Sequence, residues 1–390
     1  MRYVLGVDFG GGSCKATLLS ESGVVAATAN TEYPTIFMGS AGREQNPKDW
    51  YRAAVKNIRT VLKKSGVNAA DVVCLAFDAA THTAVLLDDD FQIVRNAVYW
   101  TDTRCTFQTA KLEAMFGHDL FARCKHKIDT IWTFPELLWV KENEPETWAR
   151  VKKIMFAKDY VRHMFTGDFV TDFIEAEGSM LFDFDTQNWI EEYLSFLGLT
   201  TENLPRIVKP EEIVGFVGKK AARESGLQVG TKEICGTTDT AAEVLAAGAV
   251  QKGQATVKLA TAGRICVISD SLFPDERLIN YSHIKQGLFY PGSATKSCAA
   301  SLRWFRDTFG GDYASMDLAA EKIEIGCGGL IFHPYLSGEL TPCSNPNLRA
   351  CFTGISGTHT KAHFARAVME GAAYSLLDCK NYLEKRGIFF

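Results

Sequence analysis

The chain has 390 residues, 46% of them hydrophobic and 23% charged, with a formal net charge of −4. That length supports two cores, so two soluble globular domains are expected. The charge balance carries no basic excess and excludes the electrostatic footprint of a DNA- or RNA-binding protein.

The N-terminal Met1-Arg2-Tyr3-Val4-Leu5-Gly6-Val7-Asp8 has too short an apolar run for a signal peptide. No uninterrupted apolar stretch is long enough to span a membrane, and a cytoplasmic protein is expected. The 11 cysteines are an odd number with no C-x-x-C pair, which argues against a zinc site and a disulfide framework. Most are expected to be small buried hydrophobes, with Cys14 and Cys235, beside the candidate site, open to modification.

Residues 3–7 form an apolar run of strand formers. Asp8-Phe9-Gly10-Gly11-Gly12-Ser13 turns the chain, residues 15–19 resume, and residues 24–28 follow a second turn, which predicts a β-meander. Three successive glycines allow close backbone approach to a ligand, and consecutive N–H groups there make an anion-binding concavity. A phosphate cradle and a permissive hairpin turn both fit these residues. The turn is not a P-loop, because it leads into a strand and has no G-x-x-x-x-G-K-[ST]. Asp8 is suited to Mg²⁺, which keeps much of its water and takes one or two carboxylates plus phosphate oxygens.

Residues 44–50 open a helix in which Trp50, Ala53, Ala54, Ile58 and Val61 recur at helical spacing, with Pro47 in the first turn. Residues 72–77 read as a buried strand, with Asp78 to Thr83 at its carboxyl end, the ligand edge of open α/β sheets. Thr81 and His82 stand there. Trp100, Asp102 and Arg104 combine an apolar plate with hydrogen-bonding charges, a chemistry suited to a polyol; a buried Trp beside a structural ion pair is the alternative. Residues 142–189 read mainly as helices interrupted at Pro145, Gly167 and Gly178.

Cys235-Gly236-Thr237-Thr238-Asp239 delivers a carboxylate to the start of a small-residue helix running to about Gly248. Thr237, Thr238 and Asp239 are all ordinary helix-capping residues. Asp239 becomes the candidate catalytic base through its place between two similar halves, since a strand, a glycine turn and a second strand occupy both residues 3–19 and residues 255–268. A cleft between related lobes is where ligands usually sit. In the final helix, residues 361–383, Phe364, Ala367, Val368, Gly371, Ala372, Ser375 and Leu376 recur at helical spacing and form a face built to pack on a sheet.

These stretches together resemble the FGGY family of carbohydrate kinases along the whole chain, with xylulokinases closest in pattern. The hairpin is similar to the family's D-x-G-T-x-x-x-K turn, with Asp8, Gly10 and Lys15 in place and Gly11 where Thr is usual. Thr81-His82 falls where xylulokinases carry Met-His, and Tyr99 to Arg104 looks like their W-N-D-x-R segment. Phe134 to Trp139 resembles the first family signature, with Glu136 where Lys is common. Asp239 matches the Asp of the G-x-x-D motif. Residues 255–263 resemble the second phosphate turn, with Ala260 and Ala262 replacing Gly and Ser and with Thr261 and Gly263 retained, and residues 350–370 fit the second signature at every constrained position.

The resemblance implies an α/β protein of two ribonuclease-H-like domains, of the actin and hexokinase type, around a cleft. Residues 1–240 would hold the sugar and first phosphate site. Residues 241–390 would form the second domain, expected to be incomplete because no copy of the glycine-rich adenosine segment is found. The implied reaction is ATP- and Mg²⁺-dependent phosphorylation of a sugar hydroxyl, D-xylulose to D-xylulose 5-phosphate. A weakly active or non-catalytic sugar-binding relative, and a kinase of another polyol such as ribulose or glycerol, are the alternatives. By the same resemblance Asp239 is the general base and Thr81, His82, Trp100, Asp102 and Arg104 bind substrate. Gly10, Gly11, Gly12, Ser13, Lys15, Thr261 and Gly263 hold ATP phosphates, and Asp8 positions Mg²⁺. The expected partners are a small-molecule ketose or polyol and a second copy in a homodimer, with neither nucleic acid nor membrane.

Overall fold

The glycine turn near the N-terminus joins two antiparallel strands, β1 (Tyr3–Phe9) and β2 (Ser13–Ser20), and β3 (Val25–Glu32) completes the expected meander. These strands belong to the first of two units, Met1–Leu245 and Ala246–Phe390, in a computed structural model that describes residues 1–345 and 347–390. After the short strand β4 (Gly42–Gln45) comes helix α1 (Pro47–Ser65). Its start is set by local chemistry: the Asn46 side chain accepts from the Lys48 N–H and Pro47 occupies the first turn. Gly66, left-handed at φ 68°, ends it. The apolar stripe Trp50, Ala53, Ala54, Ile58 and Val61 is fully buried against the meander, as its spacing predicts.

Strand β5 (Val72–Ala79) pairs parallel with β1 and carries the sheet onward. Helices α2 (Thr133–Asn143), α3 (Ala157–Thr166) and α4 (Phe173–Glu177) follow. Here the structure corrects the sequence reading, because residues 142–189 are not mainly helical. Lys153–Phe156 is a strand antiparallel to Ala84–Leu87, and Val170–Asp172 is a strand parallel to Arg206–Val208. Their partners lie far away in sequence, so helical breaks alone did not disclose them.

The sheet is completed by β6 (Ile213–Phe216) and β7 (Lys232–Ile234), which lie on either side of the short helix α5 (Lys219–Ser225) in the chain, and by the two-residue β8 (Thr237–Thr238). β7 and β8 both run parallel to β5. Helix α6 (Asp239–Ala246) follows directly, and the domain division expected at residue 240 falls inside it.

In the second unit β9 (Ala255–Leu259), β10 (Gly263–Val267) and β11 (Gly292–Thr295) form an antiparallel sheet, followed by helix α7 (Ala299–Phe309). The pair β12 (Ile331–His333) and β13 (Cys351–Thr353) precedes the long helix α8 (Lys361–Lys385). Two cores share that helix: Ala365, Ala367 and Val368 pack with Phe305 and Phe332, and Leu376, Cys379 and Leu383 pack with Ile265 and Val267. Gly371 marks the crossing with β12, where a Cβ would stand 2.3 Å from the Phe332 carbonyl oxygen. Among the described residues no helix is long and apolar enough to cross a membrane.

No cysteine is in a disulfide, and Cys14 and Cys235 are fully buried. Burial pushes each thiol up to about 12. That removes the thiolate needed for modification at neutral pH and corrects the expectation that either is open to it.

Candidate active site

Three parallel strands of the first unit end side by side. In register, Asp8 of β1 stands beside Asp78 of β5, and Asp78 stands beside Thr237 of β8. Gly236 makes the last pairing feasible. It adopts φ 74°, and a Cβ on it would lie 1.9 Å from the Phe77 carbonyl oxygen, so the chain can cross β5 this closely only as glycine. Asp239 therefore leaves the carboxyl edge of the sheet at the first residue of α6. Thr238, rather than Asp239, provides the cap there, its hydroxyl accepting from the Ala241 N–H at 3.3 Å. The Asp239 carboxylate accepts from the Thr240 N–H at 2.6 Å and the Thr240 hydroxyl at 3.2 Å through a single oxygen, Oδ1.

Asp78 is the site residue that sequence reasoning passed over. Burial, followed by the charge of and a hydrogen bond with Asp8, raises its carboxyl well above the usual range, with Asp239 and Glu243 adding to the effect. Two carboxyls bridged by a hydrogen bond share one proton, as like charges at close range require. A signal was present: two buried strands each close on an aspartate.

The Gly10–Gly12 turn is held from behind. Tyr33 donates its hydroxyl to the Gly10 carbonyl at 2.5 Å, Gln45 donates to the Gly11 carbonyl at 2.8 Å, and the Tyr33 N–H donates to the Gly12 carbonyl at 3.0 Å. Gln45 is itself fixed by the Trp50 indole at 3.0 Å, so the core face of α1 sets the turn. The Gly11 and Gly12 N–H groups have no hydrogen-bond partner among the described residues. Gly10 donates to the Ser13 carbonyl, and Lys15 is exposed on β2 opposite Asp8. None of the three glycines adopts positive φ, so left-handed backbone is not what calls for glycine here.

Thr81 is half-buried and His82 is buried in a left-handed conformation at φ 71°. Three bonds hold that conformation: the His82 N–H donates to Glu175 at 3.1 Å, its carbonyl accepts from Thr133 at 2.9 Å, and its Nδ1 meets the Gly178 carbonyl at 2.8 Å. A ring nitrogen facing a carbonyl carries a proton, so Nδ1 is the donor in this contact. Trp132 packs edge-on against this ring.

A buried ion network ties the His82 turn to Asp239. Asp172 caps α4 and pairs with Lys158 at 2.9 Å, and its Oδ1 accepts from Thr237 at 3.0 Å, while Arg162 donates to the Cys235 carbonyl at 2.6 Å. Lys158, Arg162, Asp159 and Asp172 are fully buried. Such charges are tolerated only when mutually paired, and the pairing here fixes both sides of the Gly236 crossing. The network was missed because its members are spread from residue 158 to residue 237.

Asp102 and Arg104 form the ion pair of the alternative sequence reading. Asp102, 1% exposed, accepts from the Arg43 N–H at 2.7 Å, the Arg104 N–H at 2.8 Å and the Arg104 guanidinium at 2.8 Å. Arg104 also pairs with Glu44 and lies 4.3 Å above the Trp139 ring centre. Both oxygens of Asp102 thus accept from the protein, and Trp100, 37% exposed, is the side chain this loop presents outward. Nearby, the buried Glu136 carboxyl has no hydrogen-bond partner among the described residues. Burial and the Asp102 charge raise it well above the usual range.

In the second unit, the carbonyls of Ala260 and Thr261 accept from Ala299, Cys298 and Ala300, so this turn caps α7. A Cβ on Gly263 would meet Thr295, Leu376 and Cys298 within 3.1 Å. Packing thus leaves little room for a side chain at this position. Thr261 is exposed.

Models of the FGGY carbohydrate kinases match both units, the N-terminal domain over residues 3–246 and the C-terminal domain over residues 269–388. The chain belongs to the FGGY family of carbohydrate kinases. A xylulose kinase of Bacillus subtilis is 33% identical over 380 residues, covering 96% of this chain and 76% of the relative. A gluconokinase of the same species is 27% identical, covering 96% of this chain and 75% of the relative. The crystal structure of a xyloylose kinase from Brucella ovis superimposes with a TM-score of 0.92 at 27% identity, covering all of this chain and 80% of that one. The chain spans 75–80% of the length of these three relatives. The protein is an enzyme, a sugar kinase with the mixed α/β two-domain FGGY fold.

Proposed function

We propose that this kinase transfers the γ-phosphoryl group of ATP to D-xylulose, giving D-xylulose 5-phosphate. The observation that carries the reading is the convergence of Asp8, Asp78 and Asp239 at one sheet edge. Phosphoryl transfer needs little covalent chemistry from a protein: in-line placement, charge neutralisation and a base for the attacking hydroxyl. Asp239 accepts the hydroxyl proton as the sugar oxygen attacks. The Gly11 and Gly12 N–H groups, with Ser13 and Lys15, receive phosphate oxygens.

Among the described residues no cluster of three or more His, Cys, Asp or Glu side chains could hold a metal ion. Mg²⁺ does not need one, since it takes one or two carboxylates together with phosphate oxygens and water. Asp8 and Asp78 fit that donor set, and the ion would neutralise phosphate charge.

His82, beside Thr81, orients the ketose, with Trp100 as an apolar plate. The phosphate role of Thr261 and Gly263 rests on their resemblance to the second phosphate turn. The domain assignment of residues 1–240 and 241–390 follows the same resemblance, as does the expectation of a homodimer.

His82→Ala is expected to weaken ketose binding by about 1–3 kcal/mol, the penalty for leaving a desolvated hydroxyl unpaired, with nucleotide affinity nearly unchanged. Titration of both ligands checks this; an unchanged ketose affinity would make His82 structural. For the substrate itself, kcat/KM measured across D-xylulose, D-ribulose, glycerol and D-gluconate is expected to rank D-xylulose first. A higher value for any of the others moves the assignment to that polyol.

A further inference from the structure

Gly11 brings no side chain to the phosphate turn, yet the space above it is not open. A Cβ on Gly11 would lie 3.0 Å from the Tyr99 hydroxyl and 3.9 Å from the ring carbon that bears it. Tyr99 is 8% exposed, and its loop is anchored by the Tyr99 N–H on the Arg43 carbonyl and by the Asp102 N–H on the Tyr99 carbonyl. The Trp100 indole donates to the phenol oxygen, and no acceptor for the phenol's own hydrogen is present among the described residues. Burial, then the charges of Asp239 and Asp8, push this phenol up to about 12, so it remains a donor at neutral pH. A hydroxyl donor therefore stands where a side chain of residue 11 would otherwise reach.

We propose that Tyr99 is a catalytic residue of the phosphotransfer, its hydroxyl donating to a phosphoryl oxygen of the nucleoside triphosphate over the Gly11 turn and standing in for the hydroxyl that position 11 lacks. The inference rests on the kinase reading given above. A donor fixed before the reaction, at the place where charge shifts during transfer, stabilises the transition state more than the ground state. The phenol reaches that place from a loop remote in sequence.

The test moves the hydroxyl. kcat and both KM values are measured with ATP, Mg²⁺ and D-xylulose for the unaltered protein, Tyr99→Phe, Gly11→Ser and the double variant, with the melting temperature of each. Tyr99→Phe is expected to lower kcat roughly tenfold or more with sugar KM nearly unchanged. Gly11→Ser alone is expected to be impaired, because its Cβ crowds the phenol. In the double variant the crowding is relieved and a hydroxyl returns, so kcat should recover most of the loss. This rescue is an interaction between neighbours that a merely structural Tyr99 would not show. The proposal is overturned if Tyr99→Phe keeps the original kcat, or if the double variant is folded but no faster than Tyr99→Phe. Should Tyr99→Phe melt early, rescue by the double variant still decides. Absence of ketose-dependent ADP release from the unaltered protein would instead overturn the kinase reading, and this inference with it.

Discussion

Asp239→Asn is expected to lower the kcat of sugar phosphorylation by ~10²–10⁴-fold, the range typical for loss of a general base, while sugar affinity stays within a few-fold. The substitution is informative because of how the carboxylate is held. Thr238 makes the cap bond to Ala241, so the helix start does not depend on Asp239. The Thr240 N–H and hydroxyl both bind Asp239 Oδ1, and the asparagine carbonyl can accept the same two bonds. What the amide cannot do is take up a proton. A role confined to capping predicts the opposite pattern, a stability loss of about 0.5–2 kcal/mol on removal of the side chain with no selective effect on rate. Comparable kcat in the two proteins would return Asp239 to such a role.

Gly236→Ala is expected to produce the second large effect, on stability and rate together. The left-handed φ of 74° costs an alanine about 1–2 kcal/mol, and its Cβ would stand 1.9 Å from the Phe77 carbonyl oxygen, a contact that only backbone movement can relieve. With strain of roughly 1–3 kcal/mol for overpacking added, the first unit should lose about 2–5 kcal/mol. For a unit of this size that lowers the melting temperature by roughly 4–20 °C. The movement needed would separate β8 from β5 and shift Asp239, and a 1 Å misplacement can cost about 10²-fold in rate. Thermal unfolding and kcat check both halves; a variant with unchanged melting temperature and kcat would show that the crossing is not what positions the base.

The fold was legible in the sequence where local chemistry decided it. The meander through residue 32, the capped helix α1 and the buried strand β5 each carry their signal within a short window, and α8 carries its own in the spacing of Ala367, Val368, Gly371 and Leu376. The turn at Gly236 was legible as a turn, but the reason for its glycine lies in Phe77, far away in sequence. The strands at Lys153–Phe156 and Val170–Asp172 were read as parts of a helical segment because their pairing partners are remote.

The candidate site divides along the same line. Asp8, His82 and Asp239 could be singled out from turns that follow strands. Asp78 could not be ranked until the parallel register set it beside Asp8. Asp102 carried the right chemistry for a sugar contact, and the structure adds that Arg43 and Arg104 engage its carboxylate. Gly263 matched a motif position where the packing of Thr295, Leu376 and Cys298 leaves little room for a side chain.

The most direct test of the account is to incubate the protein with ATP, Mg²⁺ and D-xylulose and to quantify ADP and sugar phosphate together. The account predicts one sugar phosphate per ADP, with formation of both lost in Asp239→Asn. ADP formed without sugar phosphate, or equal amounts of both from Asp239→Asn and the unaltered protein, would contradict it.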